Sequence, residues 1–306
     1  MMRFTVLILL VSFQMQQLMG QMFPLSDHYV INGLAINPAF SGSQDALSAT
    51  ISYRNQWVGF DDSPKSQIFS IHTPVKNDRI GLGLLVENNS IGIFKETSFI
   101  GNYAYRMELR NGKLALGLGF GVTLYNNAWN ELKAADADDD HLINAPNSAV
   151  LPDFSLGTYY YTKKFYIGFS LPLFLSHELD NSTGKYKISN NFSGYNFFLN
   201  GGYELGISPH IKLLPSILVK YHPGNAVQID YNVQLNLKDR IWMGVGYRSK
   251  NLLVGMLQCQ INYQLRIAYS YDFDLGSIGR YLNGSHEVVL NYVFRYTRKV
   301  MGPRHF

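Results

Sequence analysis

Long apolar runs are missing from this chain of 306 residues. The stretch from Phe4 to Phe13 is too short to cross a bilayer as a helix, which takes about 20 residues, and nothing later approaches that length. Helical membrane spans are therefore excluded. Charge is scarce as well: Asp, Glu, Lys and Arg make up 16% of residues, where soluble domains carry about 25%. The formal net charge of +4 is too small over this length to lay a nucleic-acid track, and no Lys/Arg-rich run precedes the C-terminal tail. Cys259 stands alone, so an intramolecular disulfide is excluded, and no cysteine near residue 21 offers a lipoprotein anchor.

What the chain does have is aromatics, 14% of residues with 21 Tyr, and a strict two-residue rhythm. In "QIDYNVQLNL", residues 228–237, Gln228, Asp230, Asn232, Gln234 and Asn236 share one parity, while Ile229, Tyr231, Val233, Leu235 and Leu237 share the other. Such order predicts a strand with one dry and one wet face. The same rhythm recurs near 114–124, 264–273 and 286–296. It predicts about fourteen strands between residues 46 and 296, among them 46–57, 94–109, 113–126, 165–175, 194–205 and 226–237. Connections after even-numbered strands are tight, as in "KNDR" at 76, "RNGK" at 110, "TKKF" at 162 and "LKDR" at 237. Most of those after odd-numbered strands are longer, notably 127–151, 176–193 and 274–285.

Short turns at one end and long loops at the other predict an all-β fold, a transmembrane antiparallel up-and-down β-barrel with the apolar parity facing lipid. A strand of about ten residues tilted by roughly 45° rises about 23 Å, close to the outer-membrane apolar band. An even strand count places both termini on the short-turn, periplasmic side. Residues 1–21 read as a cleaved export signal, 22–45 as a plug or periplasmic extension, 46–296 as the barrel and 297–306 as a tail. The lumen-facing polar set is then Arg106, Gln228, Asp230, Asn232, Gln234, Arg266, Asp272, Glu287 and Arg295. Gly117, Gly119 and Gly121 fall on the same wet face, where a crowded lumen gives small residues a packing reason. "INPAFSGS" at 36–43 is not strand-like, because Asn37-Pro38 and Ser41-Gly42 both mark turns.

Catalytic motifs are weak. "GLGFG" at 117–121 sits inside a strand with no following helix, which excludes a dinucleotide loop. "ADADDD" at 135–140 lacks the glycine and closing glutamate of a calcium loop and reads as a solvated acidic loop. The histidines lack metal-ligand spacing. The expectation is no enzyme, no metal and no cofactor. The unusual polar cluster is "YRNQWVGFDDSPKSQ" at 53–67. Tyr53 and Trp57 suit a membrane interface; alternatively Arg54, Asn55, Gln56 and Trp57 form a hydrogen-bonding set that grips a plug or a partner.

The chain resembles the PorP/SprF family of outer-membrane proteins in the type IX secretion and gliding machinery of Bacteroidetes. The resemblance rests on "NPAFSGS" at 37, "YRNQWVGF" at 53, "PKSQ" at 64, "GLGLLVENNSIG" at 81, "YAYRMEL" at 103, "FYIGFSLP" at 165, "LLPSILVKY" at 213, "WMGVGYR" at 242, "AYSYDF" at 268 and "GSHEVVLNYVF" at 284. Their ordered succession, rather than any one of them, carries it. Asp62 and Ser63 stand where the family pattern often has Gly and Ala, and Asn88 or Asn89 stands near a frequent Asp. The resemblance implies a non-enzymatic barrel that assists export or surface attachment of particular large secreted proteins or adhesins bearing a C-terminal sorting domain. It also implies contact with other secretion components, within outer-membrane lipid. It brings no catalytic or binding residues with it. A passive or substrate-specific porin is the alternative reading of the polar lumen face, and a soluble carbohydrate-binding sandwich is the third.

Overall fold

The computed structural model describes residues 26–75, 78–128, 148–174, 176–180, 185–189, 192–249, 251–276, 279 and 283–294. The first seven strands are β1 (Leu47–Asn55), β2 (Lys65–Val75), β3 (Ile80–Ile91), β4 (Phe94–Leu109), β5 (Gly112–Asn127), β6 (Ser148–Tyr161) and β7 (Phe165–Leu171). A separate small hairpin follows, β8 (Ser176–Asp180) with β9 (Lys185–Ser189). Then come β10 (Phe197–Tyr203), β11 (Leu205–Ser208), β12 (Ile211–Tyr221), β13 (Gln228–Leu237), β14 (Ile241–Arg248), β15 (Leu252–Gln260), β16 (Leu265–Asp274) and β17 (Ser285–Phe294).

Each strand of the large sheet pairs antiparallel with its chain neighbour, β1 pairs with β17, and β10 pairs with both β7 and β12, so the sheet closes on itself. Both β10 and β11 run along β12, interrupted at Glu204. They are two halves of one wall strand, and the wall is a closed 14-strand barrel. Closure leaves no sheet edge to satisfy in lipid. The tight connections have the chemistry they need. Lys238 and Asp239 both take positive φ, and Arg240 N–H donates to Leu237 O at 3.0 Å, the primed turn that matches strand twist.

The burial pattern is inside out relative to a soluble protein. Leu118 is 56% exposed and Phe120 61%, whereas Asp230 is 3% exposed and Arg106 1%. Most wall strands turn a row of exposed apolar side chains outward and buried ones, many of them polar, inward. A water-bathed sandwich would have the opposite arrangement. The soluble reading is therefore discarded. Among the described residues no helix is long and apolar enough to cross a membrane.

Several expected strand limits shift by a few residues. The strand expected at 165–175 ends at Leu171, and residues 176–193, expected as a loop, hold the β8–β9 hairpin. The N-terminal side of the chain does not follow from the strand count. The first wall strand starts at Leu47 and the last ends at Phe294, both at the short-turn end, as an even count requires. The chain before Leu47, however, runs back up inside the barrel. Ser26 bonds to Glu287 beside the long loops, so strand parity does not fix where the N-terminal side of the chain lies.

Candidate functional site: an inner segment clasped and seated in the lumen

Residues 26–46 lie within the barrel and are almost wholly buried. Two short 3-10 turns, Gly33–Ala35 and Pro38–Phe40, shape the segment. Asn37 accepts from Ala39 N–H at 2.9 Å and so caps the second turn, with Pro38 at the first helical position where no N–H is wanted. The same side chain donates through Nδ2 to Thr158 O on β6 at 2.9 Å and to Phe169 O on β7 at 3.4 Å. One residue thus bends the segment and pins it to the wall.

Below Asn37 the contact is one of shape. A Cβ on Gly117 would meet Ala39 N at 2.1 Å, one on Gly81 would meet Ser41 O at 1.9 Å, and one on Gly157 would meet Asn37 Oδ1 at 2.0 Å. The wall glycines are therefore a seat cut for Asn37–Gly42, and any larger side chain would occupy its space. Phe40 fills the remaining room between His72 and Tyr159, with edge-on ring centroids at 5.4 and 5.5 Å. Gly42 adopts φ of +73° to turn the chain against the backbone of Gly81 and Pro74. Its carbonyl accepts from Arg106, whose Nη1 also lies 3.1 Å from Asp45 Oδ1.

At the other end the contact is ionic. Asp27 pairs with Arg54, lies 2.9 Å from Arg248 Nη2, and accepts from Ser270 Oγ at 2.8 Å. Asp27 N–H donates to Glu287 at 2.7 Å, and the Ser26 hydroxyl donates to the same carboxylate. Arg54 reaches Asp272 and Glu287 as well, while Arg248 continues to Asp230, which also pairs with Lys220 at 2.8 Å. The wall supplies Arg54, Arg248 and Lys220 against Asp230, Asp272 and Glu287, which balances without the segment. Asp27 is the surplus anion, so withdrawing the segment would leave no net charge stranded among these groups.

Between clasp and seat, Tyr29 bonds Ser216 at 3.0 Å, Ser70 donates to Asn32 at 2.7 Å, and Ser170 donates to Ile36 O at 2.5 Å. Two gaps beside the segment measure about 70 Å³ (by Ala35, Glu96 and Asp153) and about 10 Å³ (by Tyr29 and Phe40). A water needs about 10–15 Å³ on this measure, so the larger gap has room for a few waters and the smaller for about one.

Of the polar cluster expected to grip a plug or partner, the structure brings Arg54 against the inner segment. Gln56 N–H bonds Pro64 O at 2.9 Å, Trp57 N–H bonds Ser285 Oγ at 3.2 Å, and Asn55 closes the β1 ladder opposite His286. These three shape the loop above the clasp. In the lumen set, Arg106, Asp230, Asp272 and Glu287 join the contacts just described. Gln228 donates to Asp230 at 3.1 Å, Gln234 accepts from Gln258 at 3.1 Å, Arg266 stacks 4.4 Å over Trp242, and Asn232 is buried. Arg295 and the acidic stretch 135–140 lie outside the described residues. Asp27, Lys220 and Arg248 were not among the expected residues. Lys220 had a legible cue, the inward parity of a strand it shares with Leu214 and Leu218.

A family model described as type IX secretion system membrane protein PorP/SprF matches residues 19–292. No curated protein matches. Among solved structures, the CymD monoaromatic hydrocarbon channel is 12% identical, covers 92% of this chain and 96% of its own, and superposes with a TM-score of 0.51. That likeness supports the barrel fold and nothing finer. The outer membrane protein Omp33 of Acinetobacter baumannii is 8% identical over 83% of this chain and 100% of its own, with a TM-score of 0.47.

Proposed function

Because the chain belongs to the PorP/SprF family of type IX secretion membrane proteins, we propose that this outer-membrane barrel is a non-catalytic docking partner. It assists export or surface attachment of a few large secreted proteins or adhesins that carry a C-terminal sorting domain, and does not itself form the conduit. The short-turn end faces the periplasm, where other secretion components would meet it, and the long loops face outward. Residues 1–21 act as the cleaved export signal.

The observation that carries this reading is the filled lumen. Most inward side chains of the wall are buried and residues 26–46 occupy the centre, so the described residues fill the lumen that a solute or polypeptide would have to cross. A porin keeps its lumen open. Two measurements test the proposal. Purified full chain in planar bilayers should show no large steady current; a porin-like open state would overturn the docking role. Deletion of the gene should remove one or a few large proteins from the cell surface while general secretion continues; normal display of every secreted protein would equally overturn it.

A further inference from the structure

The short-turn end carries a cleft of about 730 Å³ between the β4–β5 turn and the β6–β7 turn, bounded on its far side by Tyr203 of β10. Four cations line it, Arg110, Lys113, Lys163 and Lys164, against Glu108 alone. Lys113 leans 3.6 Å from Asp45 of the inner segment, whereas no carboxylate pairs with Arg110, Lys163 or Lys164 among the described residues. On the same rim Lys212 is matched differently, lying 3.4 Å from Glu204 and 3.0 Å from Asp239. The cleft is thus a local excess of positive charge.

The turn bearing two of these lysines is held in shape. Thr162 Oγ1 accepts from Lys164 N–H at 3.1 Å and from Phe165 N–H at 3.0 Å, Thr162 N–H donates to Phe165 O at 2.8 Å, and Lys164 O accepts from Glu204 N–H at 2.6 Å. The neighbouring turn is pressed close, since a Cβ on Gly112 would meet Tyr161 O at 2.5 Å. Fixed backbone presents the cations together at little entropic cost. The outer lip is apolar. Leu109, Phe165 and Tyr203 are all exposed on the lipid-facing side, and Phe165 and Tyr203 are direct cross-strand partners.

We propose that this cleft holds the headgroup of an anionic phospholipid from the leaflet at the short-turn end, its phosphate among Arg110, Lys163 and Lys164 and its acyl chains against Leu109, Phe165 and Tyr203. Clustered basic residues at a membrane interface attract anionic headgroups, and aromatic side chains there meet the acyl boundary. A free phosphate would use the cations and leave the apolar lip without a role. An acidic protein surface would use the cations from the aqueous side and likewise leave the lip unexplained.

The test is native mass spectrometry of the full chain released from nanodiscs of equal parts phosphatidylglycerol and phosphatidylcholine. The wild type should retain phosphatidylglycerol with at least about a tenfold preference. The triple variant Arg110→Gln/Lys163→Gln/Lys164→Gln should retain the two lipids equally. A control variant at the opposite rim, Lys65→Gln/Lys95→Gln, should behave as wild type, and heat-modifiable gel mobility should show all three folded. A triple variant that keeps the preference overturns the proposal. So does loss of the wild-type preference in millimolar inorganic phosphate, which would make this a free-anion site. Loss of a co-purifying acidic protein from the triple variant, with lipid preference intact, would assign the cleft to that protein instead.

Discussion

The inner segment is held in two unlike ways along its length. Around Asp27 it is held by charge, in a buried cluster where each carboxylate has a basic partner. From Asn37 to Gly42 it is held by shape, against wall positions where a single extra carbon would collide with backbone. A charge clasp can be undone by removing or neutralising one group, and its strength depends on what replaces it. A steric seat has no such handle: it fits until the wall changes. If the segment is ever displaced in the working cycle, the clasp is the end that yields first.

The largest effect is expected at the hub of the clasp. Arg54→Ala leaves Asp27, Asp272 and Glu287 buried with one cation fewer, a defect that costs about 3–5 kcal/mol when a buried pair loses one partner. Heat-modifiable gel mobility should report a lower unfolding temperature for this variant than for any other discussed here. A loss no greater than that of an exposed Lys95→Ala change would mean that water, and not protein, surrounds the cluster.

The seat should respond less in stability and more in permeability. Gly117→Val overpacks the lumen by a branched side chain, which costs about 1–3 kcal/mol, and the cheapest relief is for the segment to lift off the wall. Planar-bilayer recording should then show a steady current absent from wild type, with residues 26–46 newly open to protease. Gly101→Val is the matched control. It faces outward, where the nearest atom to a new Cβ is Phe120 O at 3.6 Å, so neither stability nor current should change. Equal behaviour of the two variants would dismiss the glycine seat.

The barrel itself was readable because lipid on one side and a packed lumen on the other impose a strict alternation. Strand 94–109 was found to the residue, and strands 113–126 and 226–237 to within two. The misreadings fall where alternation carries no instruction. At Glu204 the wall strand breaks and resumes on the same partner, so an unbroken 194–205 was expected. The β8–β9 hairpin lies outside the wall and pairs only with itself. In the site, parity identified Asp230, Asp272 and Glu287 as inward residues, one strand at a time. It could not say that they converge on Asp27, which is more than 200 residues away from each in sequence. Nor could it give a direction to a segment with no strand rhythm, which is why the upward course of residues 26–46 had to come from the structure.

Asp27→Asn separates clasp from seat most finely, and its effect should be the smallest. The substitution keeps the shape of the side chain and its capacity to accept from Ser270, and it removes the one carboxylate that the wall's own cations and anions do not require for balance. The expected loss is about 1–2 kcal/mol, that of weakened hydrogen bonds to Arg54 and Arg248 rather than of stranded buried charge, because the wall cations keep their own anions. The glycine seat remains intact, so bilayers containing this variant should stay silent in low salt. Raising the salt should change little for either protein, because side chains this deeply buried are poorly screened. A steady current from Asp27→Asn equal to that from Gly117→Val would reverse the order of the two contacts, making charge the restraint that closes the lumen and shape the one that merely accommodates it.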